Sequence, residues 1–382
     1  MKLLTRMKIL YVLRQVGETL LFSFFSLYLS LRGFSDYQVG ELMGIVPVVM
    51  LFATPLLGLV DDGGKNEKTL LVTANMLIAL VPLLLLIGGI DYFWMAVLLA
   101  VMSAIRAPIC PATDSLATLV AINNSKRFSN IRIWGSISYA VLMAFGGALI
   151  DEIGFNNIII ISGALTFCSA ILIASIPLQN LDKPAESSKK GDYKKLFANK
   201  KFLAFVLVVI FTWATWSASY NFEGVYYAEK FSNAGMFGYV ESLRVVFEVL
   251  AMLLLAKLKK PLSVRFVFFF FALCAMAKYA VYYFDLPAYS LFALAPPLGA
   301  AFGMILFYYV EYIARIVPKH NIHIAIFTVT SAQYLLNATY TYIGSAIVRY
   351  HGFSNVYLLF FAITAAGLLL IPLIKRDECQ AK

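Results

Sequence analysis

Ionisable side chains are scarce in this sequence: 14% of its 382 residues are charged and three more are histidine. A soluble domain of this size carries roughly 25% charge, so the shortage excludes a water-facing surface over most of the chain. Cysteine is equally sparse. The four present (Cys110, Cys168, Cys274, Cys379) show no paired spacing, which argues against both a disulfide framework and a thiolate metal site. His320 and His323 have helical spacing but no third ligand, and His351 stands alone. No metal and no other cofactor is therefore expected. A glycine-rich loop ending in Lys-Ser or Lys-Thr is also missing, which argues against an ATP-driven machine.

What fills the chain instead is apolar. Hydrophobic residues make up 61% and the mean hydropathy is +0.80, the composition of an integral membrane protein. About twelve stretches of roughly 20 residues are each long enough to cross a hydrocarbon core of about 30 Å as a helix. Their approximate cores are Ile9–Leu31, Val39–Val60, Leu70–Ile90, Phe93–Val120, Ile133–Ile150, Ile158–Pro177, Phe202–Tyr220, Gly238–Leu258, Phe266–Phe284, Tyr289–Ile313, Ile322–Val348 and Val356–Ile374. Lipid-facing strands are excluded, because an open sheet leaves backbone groups unsatisfied in hydrocarbon. The expected class is all-α, with twelve transmembrane helices numbered here as spans 1 to 12. Met1–Lys8 is basic but runs directly into span 1 with its Arg14 and Glu18, so no cleavable signal peptide is expected.

The net charge of +10 suggests nucleic acid until its placement is considered. With both termini set inside, nearly every lysine and arginine falls in a cytoplasmic connection or tail. Only Arg32, Lys230 and Arg349 fall outside, and Arg14, Arg106, Arg244 and Lys278 lie within spans. That asymmetry is the positive-inside pattern. It predicts a multi-pass protein of a prokaryotic plasma membrane with cytoplasmic termini, a lipid partner and no nucleic acid. The longest polar segment, 179–201 (QNLDKPAESSKKGDYKKLFANKK), reads as a cytoplasmic linker with a basic helical end. It divides the chain into two six-helix bundles, 1–178 and 202–382, in the arrangement of parallel repeats about the membrane normal.

Charge inside the spans is unevenly distributed. Spans 3, 6 and 12 hold no ionisable residue and span 9 holds only Lys278, whereas spans 1, 4 and 8 hold Arg14, Glu18, Arg106, Asp114, Glu241, Arg244 and Glu248. Such groups cost roughly 2.5–3.5 kcal/mol each to insert and usually face a cavity or a partner. The uncharged helices are therefore expected to face lipid while the rest enclose a polar cavity. The densest stretch is Ile105–Tyr139, where a helix with Arg106, Pro108, Pro111 and Asp114 runs into a basic turn, Lys126-Arg127. The chain then re-enters an apolar run through Arg132 and Trp134.

These residues resemble a family. Arg106-Ala-Pro-x-x-Pro-x-x-Asp114 closing span 4 and Arg132-Ile-Trp-Gly-Ser-Ile-Ser-Tyr139 opening span 5 are similar to the major facilitator superfamily of transporters. Within it they resemble the branch of phenylpropionic-acid permeases, nucleoside–proton symporters and lactose permease. Gly33-Phe-Ser-Asp-Tyr-Gln-Val-Gly40 and Ser331-Ala-Gln-Tyr-Leu-Leu-Asn337 add to the likeness. The resemblance implies that Asp114 and Arg132 correspond to a sugar-binding carboxylate and arginine, and Tyr139 to an aromatic that stacks on the sugar ring. It implies that Glu248 corresponds to a carboxylate joining substrate and proton sites. Span 10 departs from the lactose pattern in lacking a histidine and a mid-span glutamate, and Gly58–Lys65 is a degenerate form of the superfamily's gating loop.

Each candidate also has a plainer reading. Asp114 lies eight residues beyond Arg106, about 12 Å along a helix, and pairs with Arg132 either to exchange that partner for solute or to order the turn. Arg14 and Glu18 share a helical face at i, i+4, as a self-satisfied pair or as part of a network with Arg106. Glu241, Arg244 and Glu248 line one face of span 8. Glu241 and Arg244 pair at its outer end, leaving Glu248 mid-span without a partner or, on the plainer reading, as a partner of Arg244. Burial disfavours the charged form of a lone carboxylate, the behaviour wanted of a proton-coupling group, so Glu248 and Asp114 are the coupling candidates. Trp213, Trp216 and Tyr220 form an aromatic stripe on span 7, a stacking platform or ordinary packing. Gln333 and Asn337 on span 11 serve a polar ligand or join helices. Lys278 is expected to snorkel at the outer end of span 9.

The expectation is a monomeric secondary transporter working by alternating access, not an enzyme, coupling uptake of a sugar, nucleoside or aromatic acid to H+. Its solute-binding set is Arg14, Glu18, Arg106, Asp114, Arg132, Tyr139, Trp216, Tyr220, Gln333 and Asn337. A proton-antiport exporter and a non-transporting receptor are the alternatives.

Overall fold

The protein is described from a computed structural model over residues 3–60, 67–124, 129–176, 193–231, 234–255, 257–258, 262–318 and 321–374. The Lys126-Arg127 turn, most of the 179–201 linker, residues 61–66 of the loop after span 2, and His320 lie outside the described residues. Within them all regular structure is helical.

The first expected span is built in three pieces: α1 (Leu3–Glu18), a π-helical turn (Thr19–Ser23) and α2 (Phe25–Leu31). Next come α3 (Asp36–Val60) and α4 (Glu67–Leu80), the latter tightening into a 3-10 turn at Val81–Leu86. Span 4 is two helices, α5 (Tyr92–Arg106) and α6 (Ile109–Asn123). Pro108 sits at the break and offers no N–H to continue the helical bonding, while Ala107 before it keeps helical dihedrals. Two further helices are α7 (Ser129–Ile153) and α8 (Phe155–Ala174), followed by the short α9 (Tyr193–Ala198) at the basic end of the linker. The chain continues through α10 (Lys200–Phe231), α11 (Ala234–Leu255), α12 (Val264–Tyr283), α13 (Ala288–Ile316), α14 (Ile322–His351) and α15 (Ser354–Leu370). Helix α10 runs well past the Tyr220 boundary expected for span 7.

Eight helical segments among the described residues are long and apolar enough to cross a membrane. The expected spans outside that set are 1, 4, 8 and 11. Two of them are interrupted, at the π turn and at Pro108, α11 carries Glu241, Arg244 and Glu248, and α14 is rich in Thr, Tyr, Gln and Asn.

By backbone packing the chain forms two compact units, Met1–Pro184 with Gly224–Ser242, and Ala185–Glu223 with Leu243–Lys382. Helices α10 and α11 each contribute to both. In the first unit α4 packs on α8, and in the second α12 packs on α15. These uncharged or nearly uncharged helices leave large apolar side chains uncovered, among them Leu80, Ile171, Phe266 and Leu369. Water would penalise such a surface, while lipid tails match it.

Candidate functional site

The first unit places three of the expected residues in direct contact. Glu18 closes α1, and its two carboxylate oxygens take one guanidinium each. Arg106 Nε and Nη2 donate to Glu18 Oε1 at 2.8 and 2.6 Å, and Arg14 Nη1 donates to Glu18 Oε2 at 3.2 Å. Arg106 ends α5 because Pro108 stops the helix there, so its cation stands at the negative end of the helix dipole. Its guanidinium lies 4.3 Å from the centre of the Phe22 ring, and Phe22 belongs to the π turn directly after Glu18. A π turn inside a helix frequently marks a functional position. Here it re-aims one aromatic ring onto the arginine that Glu18 binds.

Arg14 is buried, whereas the Arg106 and Glu18 side chains keep 26% and 22% of their surface open. The cluster extends one step further. Tyr11, three residues before Arg14, donates its hydroxyl to Asp114 on α6, and the Arg14 guanidinium sits 5.6 Å from the Tyr11 ring centre. Tyr11, Arg14 and Glu18 therefore form one stripe of α1 that gathers Arg106 and Asp114. Gly17 lies beside this stripe, lining the same cavity as Arg14 and Glu18, and permits close packing on α8. A Cβ there would stand 2.7 Å from Thr166 Oγ1. Arg132 is exposed and Tyr139 half-buried on α7.

Two buried ion pairs are prominent in the second unit. Arg244 Nη1 and Glu248 Oε2 are 3.1 Å apart one helical turn from each other on α11, both nearly enclosed. The expectation of a partnerless Glu248 is thus corrected, since i, i+4 spacing suits the pair and neither side chain has water to turn to. Helix α13 presses directly on this turn of α11, because a Cβ at Gly299 would collide with the Arg244 carbonyl oxygen.

The other pair went unrecognised in the sequence. Lys278 Nζ on α12 lies 2.5 Å from Glu223 Oε1 on α10, and each side chain is only 3% exposed. Ser219 Oγ accepts from the same ammonium at 3.0 Å, and Tyr282 donates to Glu223 Oε2 at 3.3 Å. The Lys278 ammonium also sits 3.6 Å from the Trp216 ring centre. Snorkelling is therefore wrong for Lys278: with span 7 extended to Phe231, an interior carboxylate stands ready to bind it. The signal was present, since Glu223 continues the stripe Trp213, Trp216, Tyr220 at helical spacing.

The remaining candidates hold helices together in this structure. Trp216 is covered by Lys278 and by Phe302, whose ring is stacked 6.1 Å away. Gln333 donates to Ser217 across α14 and α10 at 3.1 Å. Asn337 Oδ1 accepts from Asn221 at 3.3 Å and from Thr341 at 3.1 Å. Tyr220, half-buried, lies on the same face of α10 as Trp213 and Trp216. Chemically, the first unit offers guanidinium forks and acceptor carboxylates with partial access, the groups that bind a carboxylate or hydroxyls. The second offers sealed pairs framed by aromatic rings.

Comparison with known proteins is consistent with this polar membrane-embedded arrangement. The chain is 24% identical over 363 residues to a maltose permease of Geobacillus stearothermophilus, spanning 94% of this chain and 92% of that one. It is 24% identical over 265 residues to a probable 3-phenylpropionic acid transporter of Escherichia coli K12, 68% of each chain. The crystal structure of the nucleoside transporter NupG superposes with a TM-score of 0.77 at 16% identity, covering 97% of this chain and 98% of that one; at that identity the likeness concerns the fold. Residues 4–347 match the MFS_1-like family, and the chain belongs to that family of major facilitator transporters rather than to any class of enzyme.

Proposed function

We propose that the protein is a secondary active transporter that takes up a small polar or aromatic organic solute together with protons. The solute class is a sugar, a nucleoside or an aromatic acid. Twelve spans in two six-helix halves, 1–178 and 202–382, joined by the linker 179–201, alternate access to a midplane site. Both termini face the cytoplasm of a prokaryotic cell, and one chain suffices.

The observation that carries this reading is the arginine–glutamate–arginine cluster on α1 and α5, with its Tyr11–Asp114 extension. Ionisable groups in hydrocarbon persist where they serve a pathway or a partner, and this cluster keeps part of its surface open. Arg14, Glu18, Arg106, Asp114, Arg132 and Tyr139 form the first half of the solute site. Tyr220, Gln333 and Asn337 contribute from the second, with Trp216 as its aromatic backing. Glu248 and Asp114 bind and release the coupled proton. Protonation of a carboxylate such as Glu248, which Arg244 contacts at 3.1 Å, permits solute binding, and inward release follows proton loss.

The test is solute-induced proton movement in proteoliposomes, screening maltose-type sugars, nucleosides and aromatic acids, with Glu248→Gln alongside. Alkalinisation outside with one solute class, lost in Glu248→Gln, is the expected result. Proton movement that survives the substitution removes Glu248 from the coupling path. Solute accumulation without any proton movement sinks proton coupling itself.

A further inference from the structure

A cavity of about 30 Å3 lies inside the first unit. Its polar lining is Arg14, Glu18, Asn75, Arg106, Ser162 and Thr166. Two of the residues that line it, Arg14 and Asn75, each have a buried side-chain atom without a hydrogen-bond partner, Arg14 Nε and Asn75 Oδ1. Asn75 sits on α4, the helix without ionisable groups in its apolar stretch, and is 0% exposed. Its amide orientation is fixed, because Asn75 Nδ2 donates to the Leu71 carbonyl at 2.8 Å; the oxygen must point elsewhere.

The lining selects its guest by chemistry. Arg14 Nε can only donate, while Asn75 Oδ1 and the Glu18 carboxylate can only accept. Ser162 and Thr166 have committed their protons, to the Gly17 carbonyl at 2.6 Å and the Ser162 carbonyl at 2.8 Å, so they too present lone pairs. An anion would meet these acceptors, and a cation would meet Arg14 and Arg106. Water can both accept and donate, and a polar cavity needs roughly 10–15 Å3 to hold one, so there is room for at least one here.

We propose that this cavity is an internal hydration site whose water bridges Arg14 Nε to Asn75 Oδ1 and serves as a second partner for Arg14. The need for one follows from the sharing of Glu18. A single carboxylate faces two guanidiniums, and Arg14 is the enclosed one. When Glu18 turns to solute or takes a proton, Arg14 loses that bond, and a buried unpaired cation is strongly unfavourable. The bridging water keeps it solvated. That last step rests on the transport reading, whereas the hydration site itself does not.

Two measurements test the proposal without any transport assay. A high-resolution structure of the wild-type protein is expected to show solvent density within hydrogen-bond reach of both atoms, lost in Asn75→Leu. Thermal unfolding of Asn75→Leu is then compared in three backgrounds: wild type, Arg14→Met and Glu18→Gln. Loss of the Leu71 bond is common to all three, so only the differences between backgrounds are read. The shift in the unfolding equilibrium is expected to be about tenfold smaller with Arg14→Met, the worth of one hydrogen bond to a charged group. With Glu18→Gln it is larger than in wild type, since Arg14 then depends on the water. Asn75→Ser, which keeps the room and a polar oxygen, retains the density. A dry cavity in the wild-type protein, or equal effects in all three backgrounds, overturns the proposal.

Discussion

The two units solve the same problem, a charged group in an apolar helix bundle, in opposite ways. In the first, one carboxylate is shared between two arginines, with about a quarter of the Arg106 and Glu18 surfaces open and a polar cavity behind them. In the second, Glu223 and Lys278 are matched one to one, 3% exposed, and surrounded by Ser219, Tyr282 and Trp216. A shared and partly open carboxylate can exchange partners. A sealed, fully matched pair cannot without breaking. The contrast is between a shared, partly open carboxylate and a buried pair at 3% exposure.

The largest expected effect lies on the sealed side. Removing one member of a buried pair leaves an uncompensated charge and typically destabilises by about 3–5 kcal/mol, whereas replacing both by apolar groups of similar size is often neutral. Glu223→Gln and Lys278→Met are each expected to lower the midpoint of thermal unfolding steeply, and the double variant Glu223→Gln/Lys278→Met to recover most of the loss. If the double variant is as unstable as the singles, the pair does more than balance charge, and the division between holding and changing sites fails.

An intermediate effect is expected on the open side, and of a different kind. Glu18→Gln keeps the shape of the residue but faces two arginines with a neutral amide. Because Arg106 and Glu18 are partly exposed, the fold survives and solute uptake by folded protein is lost. Arg106→Lys sharpens the point. Lysine retains the charge but neither the two-pronged contact with Glu18 nor the planar face over Phe22. Solute binding is expected to weaken about tenfold, the worth of a charge-assisted hydrogen bond, with unchanged thermal stability. Calorimetric titration on the purified variants would decide it, and full affinity in Arg106→Lys would assign Arg106 a purely electrostatic part.

How far this contrast was legible in the sequence depends on the length scale. Spans 1, 4 and 8, marked by their charges, and span 11, marked by Gln333 and Asn337, fall short as continuous apolar helices, whereas spans 5 and 7, which also carry candidates, do not. Pro108 announced the break that places Arg106. The i, i+4 spacing of Arg14 and Glu18 announced their pair. What escaped was decided by helix ends. Span 7 was cut at Tyr220, where the apolar run weakens, so Glu223 fell beyond it and Lys278 was read as snorkelling at the outer end of span 9. Tertiary packing extends α10 to Phe231 and carries a charge inward that hydropathy alone had placed outside. Tyr11 was missed for another reason: tyrosine in an apolar stretch signals packing until its hydroxyl is seen to find a carboxylate on another helix.

That hydroxyl also offers the finest test of the open site. Tyr11 is buried, its ring lies beside Arg14, and its O–H is directed at Asp114. Tyr11→Phe removes one oxygen and leaves the ring, so packing on α1 is preserved and the net loss of stability is about 1.5–3 kcal/mol, the range for a hydrogen bond to a charged group. Asp114, relieved of a donor, becomes freer to reorient. If Asp114 belongs to the solute site, its preorganisation is what Tyr11 supplies, and affinity is expected to fall severalfold while the maximal uptake rate holds. The Glu223–Lys278 pair gives the control, since Tyr282→Phe removes a comparable O–H from a sealed carboxylate and is expected to change stability alone. Equal effects of the two substitutions on affinity would mean that openness to solute does not distinguish the two clusters.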